Sequence, residues 1–359
     1  VNISQTALKQ YLNNTERFDY ATARECFSTI TPDTLALIGE VADVVRQSRY
    51  GLQATYVHNL QINPTNVCVR GCDFCGFAVL PGREGGYSLA EDDIINTVAN
   101  AAPSEVHIVG GLSHEWKFQR CLSLVKRLRQ TFPTLYIKSF TAVEMDWFAK
   151  TEKQPIEAIL SEFVAAGMNG MPGGGAEMFS ERIRKQHFRQ KLGANDWLAI
   201  HEAAHTLGIS TNATMLYGMG ETLEERISHL LHLRDLQDKT GGFVSFIPLA
   251  MQFGVNDSRE MSPLENLYMV AMSRLILDNF SHIKAYWPMI GIETAAAALS
   301  FGADDLDGTI GLEKVAHASG AKTPKQMAAE EMERAIMLAG FEPIERDGRY
   351  LPVVNVQCA

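Results

Sequence analysis

The chain has 359 residues, a formal net charge of −10 and 46% hydrophobic residues, enough apolar material for one large core or two smaller ones. The acidic balance gives no electrostatic reason to seek nucleic acid or anionic membrane. No uninterrupted apolar run approaches the roughly 20 residues of a membrane span, and residues 1–10 lack a basic-then-apolar leader. A cytoplasmic protein without nucleic-acid or membrane partners is expected.

Residues 4–50 alternate polar and apolar positions with helical period, and Thr31-Pro32-Asp33 reads as a helix start. An N-terminal helical cap is expected over residues 1–50. A strand-then-helix rhythm follows, with apolar strand candidates at 57–62, 106–109, 135–140, 168–171, 209–217, 243–249, 282–287 and 303–308. Between them, Ser88 with Glu91 and Thr222 with Glu225 fit the capping box, in which a hydroxyl and a carboxylate satisfy free backbone N–H groups. Eight strands alternating with helices predict an α/β fold of the (β/α)8 TIM-barrel type over residues 51–322. The rival open, doubly wound sheet would need a glycine fingerprint after the first strand. Asn63-Pro64-Thr65-Asn66-Val67-Cys68 occupies that place instead. Residues 323–359 are expected to pack on the barrel as an extension, with one helix over 324–340 and then a short extended piece.

Six cysteines are too few for a disulfide framework in a chain this long, yet Cys68, Cys72 and Cys75 crowd into eight positions. On a helix that spacing would be one buried face, but Pro64, Gly71, Gly76 and Pro81-Gly82 make the segment a loop. A loop can wrap three thiolates around a compact metal centre. Structural zinc would want a fourth Cys or His nearby, whereas an iron–sulfur cubane held by three thiolates keeps one iron free for another ligand. The CxxxCxxC spacing, with Phe74 before the last cysteine, resembles the radical S-adenosylmethionine (SAM) superfamily. The resemblance implies a [4Fe–4S] cluster on Cys68, Cys72 and Cys75, with SAM chelating the open iron and cleaved to methionine and a 5′-deoxyadenosyl radical.

Other strand ends supply candidates for holding SAM. Gly110 and Gly111 let the backbone approach a ligand, and their carbonyls can accept from an ammonium. The superfamily resemblance puts the methionine amino group there. Thr141 and Glu144 after the third strand, and Asn212 and Tyr217 on the fifth, are candidates for ribose or adenine contacts, though each could instead cap a helix. Glu177 follows the run Gly173-Gly174-Gly175 and is expected to point toward SAM from the barrel mouth.

His201-Glu202-Ala203-Ala204-His205 is a literal HExxH, the helical zinc-protease signature. Trp197, Ile200, Ala204 and Leu207 form the core-facing stripe of that helix, which puts both histidines on its flank, toward solvent or a neighbouring helix.

Longer strings narrow the superfamily. Asn63–Cys68, Ser139–Glu144, Gly173–Glu177, Thr211–Gly218, His282–Trp287 and Phe301–Thr309 together resemble aminofutalosine synthase of the futalosine route to menaquinone. Cyclic dehypoxanthinylfutalosine synthase and the subunits that build the deazaflavin F0 are similar relatives and stay open as hydrogen-abstracting alternatives. The resemblance implies a radical SAM transferase that adds the deoxyadenosyl radical to 3-[(1-carboxyvinyl)oxy]benzoate. It also implies reduced flavodoxin or ferredoxin as electron donor. An aromatic dicarboxylate substrate needs cationic or multiple donors in an enclosed pocket. The candidates are Arg70, Arg274, His282 and Lys284, with Tyr286 and Trp287 flanking the ring.

Overall fold

The computed structural model describes residues 17–353. Eight parallel strands surround the central cavity: β2 (Asn59–Ile62), β3 (Glu105–Ile108), β4 (Tyr136–Ser139), β5 (Gly170–Met171), β6 (Ser210–Tyr217), β7 (Phe243–Ala250), β8 (His282–Ile283) and β9 (Asp305–Gly308). The first seven hydrogen-bond in chain order as one sheet. A backbone bridge between Lys284 and Asp305 carries the ladder from β8 to β9. Just past β9, Ile310 O accepts from Gln61 N at 2.7 Å and Thr309 Oγ1 accepts from Asn59 N at 3.1 Å. Those bonds return the ring to β2. The crossovers are long enough for helices, as parallel strands require. An outer strand, β1 (Gln53–Val57), pairs in parallel with β9 on one side and with the C-terminal β10 (Glu342–Arg346) on the other.

Every strand expected from the sequence is present, with corrected ends. The predicted 282–287 strand is shorter: β8 ends at Ile283, Lys284 N and Ala285 N still donate to Phe246 O and Asp305 O, and Pro288 then opens the short helix Trp287–Ile290, where its missing N–H costs nothing. The Thr222–Glu225 capping box forms. The Ser88–Glu91 box does not: Ala90 is the N-cap of helix Glu91–Ala101, and Ser88 Oγ instead accepts from Trp116 Nε1 at 2.9 Å. Glu91, Asp92 and Asp93 in the first turn complement the positive end of that helix without a side-chain cap.

Two described N-terminal helices, Tyr20–Phe27 and Pro32–Tyr50, start at Asp19 and Thr31, whose side chains accept from Thr22 N and Thr34 N. The second buries Leu35, Ile38, Val41 and Ala42 and, through Arg49, donates to the carbonyls of Asp278 and Phe280. Residues 1–16, part of the expected cap, lie outside the described residues. The C-terminal helix begins at Ala329, five residues later than its apolar period suggests. Glu313 N donates to Lys325 O and Met327 N to Thr309 O, so the backbone before it is held against the barrel loops. Among the described residues no helix is long and apolar enough to cross a membrane.

Candidate metal and cofactor site

The loop after β2 is a scaffold for three thiols. Cys68 N donates to Val79 O and Val79 N to Asn66 O, both at 2.9 Å, closing the base of the loop. Val69 N reaches Leu112 O and Asp73 N reaches His187 O, tying it to two other strand-end loops. Gly111 is needed here, because a Cβ at that position would come 2.3 Å from Val67 O. Cys68, Cys72 and Cys75 line one cavity of about 150 Å³ together with Gly110, Gly111, Thr141, Glu144 and Lys191.

This donor set fits a [4Fe–4S] cluster. Among the described residues no fourth cysteine or histidine lines that cavity, and a cubane meets each thiolate at a different iron, so its ligands need not converge on one point. Among the described residues no group of three His, Cys, Asp or Glu side chains is arranged to hold a single ion. Burial pushes the Cys72 thiol up to about 11 and raises Cys75, against the pull of the Lys191 ammonium. Iron would supply the positive charge that burial withholds from the thiolates.

A second cavity, of about 250 Å³, runs from Cys75 and Phe74 down the barrel axis. Thr141, Glu177 and Asn212 line it as expected. Asn212 is 3% exposed, and its side-chain amide makes no hydrogen bond among the described residues. Glu177 pairs with Lys191 at 2.5 Å, and Lys191 also sits 5.3 Å from the Phe74 ring centroid. Burial opposes the charge of Lys191, yet Glu177 and the neighbouring thiols raise its pKa and keep it protonated. Gly173 packs on β6 so closely that a Cβ would come 2.5 Å from Asn212 O, which makes the glycine run a wall contact as well as a cavity lining.

Glu144 has a different job from the one expected. It is the N3 residue of a capping box with Thr141, whose N donates to Oε2 at 2.7 Å, while Gly110 N donates to Oε1 at 3.0 Å. Both oxygens hold backbone, so Glu144 positions the glycine loop. Burial raises its carboxyl to about 7 against those hydrogen bonds. With the N–H groups of Gly110 and Gly111 donating to Glu144 and Thr65 O, no hydrogen bond among the described residues reaches their carbonyls. Those carbonyls are the acceptors an ammonium would meet.

Four expectations are corrected. Tyr217 is 1% exposed and its hydroxyl donates to Asn266 Oδ1 at 2.7 Å, away from both cavities, because it lies on the outward face of β6. Arg274 is fully buried on helix Pro263–Ile276, donating to Gly302 O, Ser281 O and Asp304 at the base of the barrel. His282 opens β8 at the same base, with Nδ1 2.5 Å from Asp304 Oδ2 and its ring stacked on Tyr350. Neither lines either cavity. The HExxH histidines do not face solvent, although His205 does meet a neighbouring helix as expected, its Nδ1 2.7 Å from Thr240 Oγ1 on helix Leu223–Thr240. His201 Nδ1 and His205 Nε2 both contact Thr211 Oγ1, at 2.9 and 2.8 Å, and Glu202 pairs with Lys239 outside. Burial keeps both imidazoles neutral. They fasten a helix to β6.

Lys284 and Tyr286 do line the main cavity, and Arg70 lines the cluster cavity. Lys284 Nζ is 2.7 Å from Asp307 Oδ1. Gln61, His107, Lys138, Asp307 and Lys191 were not expected there. The first three have a visible signal, polar residues inside short strands: Asn59 and Gln61 in β2, Glu105 and His107 in β3, Lys138 and Ser139 in β4. Lys191 has none, since it sits in an irregular loop far from any motif.

The comparisons agree with this geometry. Residues 62–233 match the model of the radical SAM superfamily, and residues 240–357 match the CofH/MqnC C-terminal region. The chain is 41% identical to aminodeoxyfutalosine synthase of Thermus thermophilus, covering 89% of this chain and 88% of that one. It is 34% identical to the aminodeoxyfutalosine synthase of Streptomyces coelicolor, covering 96% and 92%, and 35% identical to the same organism's cyclic dehypoxanthine futalosine synthase, covering 92% and 84%. In fold it is similar to methylornithine synthase, with a TM-score of 0.76 at 17% identity over 94% of this chain and 97% of that one. Three cysteines at one strand end, a glycine loop with free carbonyls and matches along nearly the whole length give one conclusion. The chain belongs to the radical SAM superfamily, among the aminodeoxyfutalosine synthase-like enzymes, with a [4Fe–4S] cluster and SAM as its cofactors.

Proposed function

We propose that the protein is an aminodeoxyfutalosine synthase, a transferase that joins the 5′-deoxyadenosyl group of SAM to the enol double bond of 3-[(1-carboxyvinyl)oxy]benzoate. The adduct attacks the benzene ring, the enolpyruvyl carboxylate is lost, and aminofutalosine is released for menaquinone biosynthesis. The observation that carries this reading is similarity to aminodeoxyfutalosine synthases across about nine-tenths of the chain. The cavity supports it chemically, because apolar walls from Ile247, Leu249 and Met251 separate a cofactor end from a polar floor.

When bound, the cluster supplies the electron that opens the sulfonium of SAM. The chain's residues do the rest by position. The carbonyls of Gly110 and Gly111 receive the methionine ammonium, Thr141 and Asn212 face the nucleoside, and the Lys191–Glu177 pair forms the rim beside Phe74. Reduced flavodoxin or ferredoxin is the proposed electron donor, and the cytoplasm, where thiols stay reduced, the proposed compartment.

The test is an anaerobic assay of reconstituted protein with dithionite, SAM and the enolpyruvyl benzoate, read by mass spectrometry. An adenine-containing product without the enolpyruvyl carboxylate is expected. Stoichiometric free 5′-deoxyadenosine with a dehypoxanthinyl substrate would move the protein to the cyclising, hydrogen-abstracting branch.

A further inference from the structure

The cofactors account for the upper cavity but not for its floor, where polar side chains form one layer across neighbouring strands. Gln61 on β2 is in register with His107 on β3, and His107 with Lys138 on β4. All three line the main cavity with Lys284 and Asp307. Gln61 is 9% exposed and its Oε1 has no hydrogen-bond partner. The His107 ring makes no hydrogen bond among the described residues. Burial first, and then Lys138, depress His107 to about 4, so it is neutral and keeps one N–H to give.

The signs of the charges matter. Lys138 Nζ pairs with Glu105 at 2.7 Å, and Lys284 with Asp307 at 2.7 Å and Asp305 at 3.7 Å. Glu105 and Asp305 stand behind the layer and do not line the cavity, and Asp305 is itself bound by Arg346. An ammonium has three donors, and each of these uses one hydrogen bond on a protein carboxylate. The floor toward the cavity therefore presents the Lys284 and Lys138 ammonium groups, the latter held charged by Glu105 against the lowering effect of burial, with an amide and a neutral imidazole beside Asp307. The other lining carboxylates, Glu177 and Glu313, are taken up by Lys191 and by His317 with the N–H groups of Ala316 and His317. Such a set of donors suits a carboxylate.

We propose that this layer, Gln61, His107, Lys138 and Lys284, anchors the ring carboxylate of an aromatic carboxylate substrate. The inference rests on the proposed function for its orientation. The vinyl carbon must meet the adenosyl group at the cluster end, which leaves the benzoate carboxylate, the group farthest from it, for the floor. Glu105, Asp305 and Arg346 are positioning residues that hold the ammonium groups in place.

The experiment uses anaerobically reconstituted full-length protein and titrates isophthalate calorimetrically into wild type, Gln61→Leu and His107→Leu, with iron content per chain as the folding control. Each variant should bind isophthalate about tenfold more weakly, the effect of one hydrogen bond to a charged group. Unchanged affinity in a variant with wild-type iron content overturns the subsite. If both variants lose iron, wild type is compared on the enolpyruvyl benzoate and its benzoate methyl ester. A KM about tenfold higher for the ester supports the subsite, and equal KM values overturn it. Failure of the two ideas is distinguishable. Isophthalate binding that depends on Gln61 and His107, without conversion of the enolpyruvyl benzoate, removes the proposed reaction and keeps the subsite. Conversion with variant-independent isophthalate binding does the reverse.

Discussion

The two ends of the barrel are both rich in charge, and they use it differently. At the base, Arg274, Asp304 and His282 form one buried group, and Asp305 with Arg346 and Lys284 another. Each of these charges has an opposite charge beside it, and only Lys284 also turns toward the cavity. Toward the mouth and inside the cavity, the Gly110 and Gly111 carbonyls, the Asn212 amide, Gln61 Oε1 and the His107 ring have no hydrogen-bond partner among the described residues. Burial of a charge alone does not mark function. Unmatched polar groups gathered on one cavity wall do, because a ligand there can repay their desolvation, whereas single unmatched atoms such as Arg346 Nη2 and His201 Nε2 lie in packed regions outside the cavity.

The largest expected effect tests the mouth. Replacing any one of Cys68, Cys72 and Cys75 by serine should abolish iron retention and SAM cleavage while leaving the barrel folded, as read by iron analysis beside circular dichroism. A variant that keeps a SAM-cleaving cluster would show that its thiol is not a ligand. The base should behave oppositely. Arg274→Met leaves Asp304 with His282 as its remaining side-chain partner, beside the Ile283 N–H, and should cost about 4 kcal/mol in denaturant unfolding, as for a broken buried pair. Where the variant folds, its cluster content should match wild type. Loss of activity without loss of stability would return Arg274 to the catalytic candidates.

The pH dependence separates the ends again. Glu144 at the mouth has a carboxyl raised from 4.5 to about 7 by burial. Its contribution to stability is present below pH 4.5 and disappears as pH rises through 7, by roughly 3 kcal/mol. Asp305 at the base is lowered mainly by Arg346 and Lys284, which outweigh burial. Its contribution is present above pH 3.8 and disappears as pH falls. Buried histidines such as His229, lowered to about 3 by burial, run against Glu144 between pH 4.5 and 7. Comparing wild type with Glu144→Gln at pH 5 and pH 7.5 isolates the carboxyl, and parallel pH profiles would place its pKa in the ordinary range. The smallest effect concerns Tyr217→Phe, which removes the hydrogen bond to Asn266 and should cost about 1 kcal/mol. The KM for SAM should stay within error, and a large rise would restore Tyr217 to the cofactor site.

Local chemistry makes a good part of this protein legible in its amino-acid order. The CxxxCxxC loop can be read because thiol spacing and the breakers around it are properties of a few consecutive residues. The strands can be read because their outward positions, such as Leu60 and Ile62 in β2 and Val106 and Ile108 in β3, are apolar against the helices. The Thr222–Glu225 box is readable for the same reason as the loop, since its partners are three positions apart.

Residues whose role depends on direction are not legible in that way. Tyr217 and Asn212 lie on the same strand, five positions apart, so the period of two sends them to opposite faces. Only the placement of the barrel axis says which face is the cavity. Thr141–Glu144 has the spacing of a capping box and the position of a ligand pair, and the fold settles it as a cap that also holds Gly110. Arg274, Lys284 and Lys191 are alike as isolated letters. One is sealed at the base by Asp304, one faces the cavity beside Asp307 and one reaches the thiols through a loop with no motif. The sequence by itself determined the three-cysteine loop, the strand count and the family resemblance, because those depend on neighbours along the chain. Tertiary structure alone decided which charges are matched and which remain free for a ligand, because pairing depends on residues brought together from far apart.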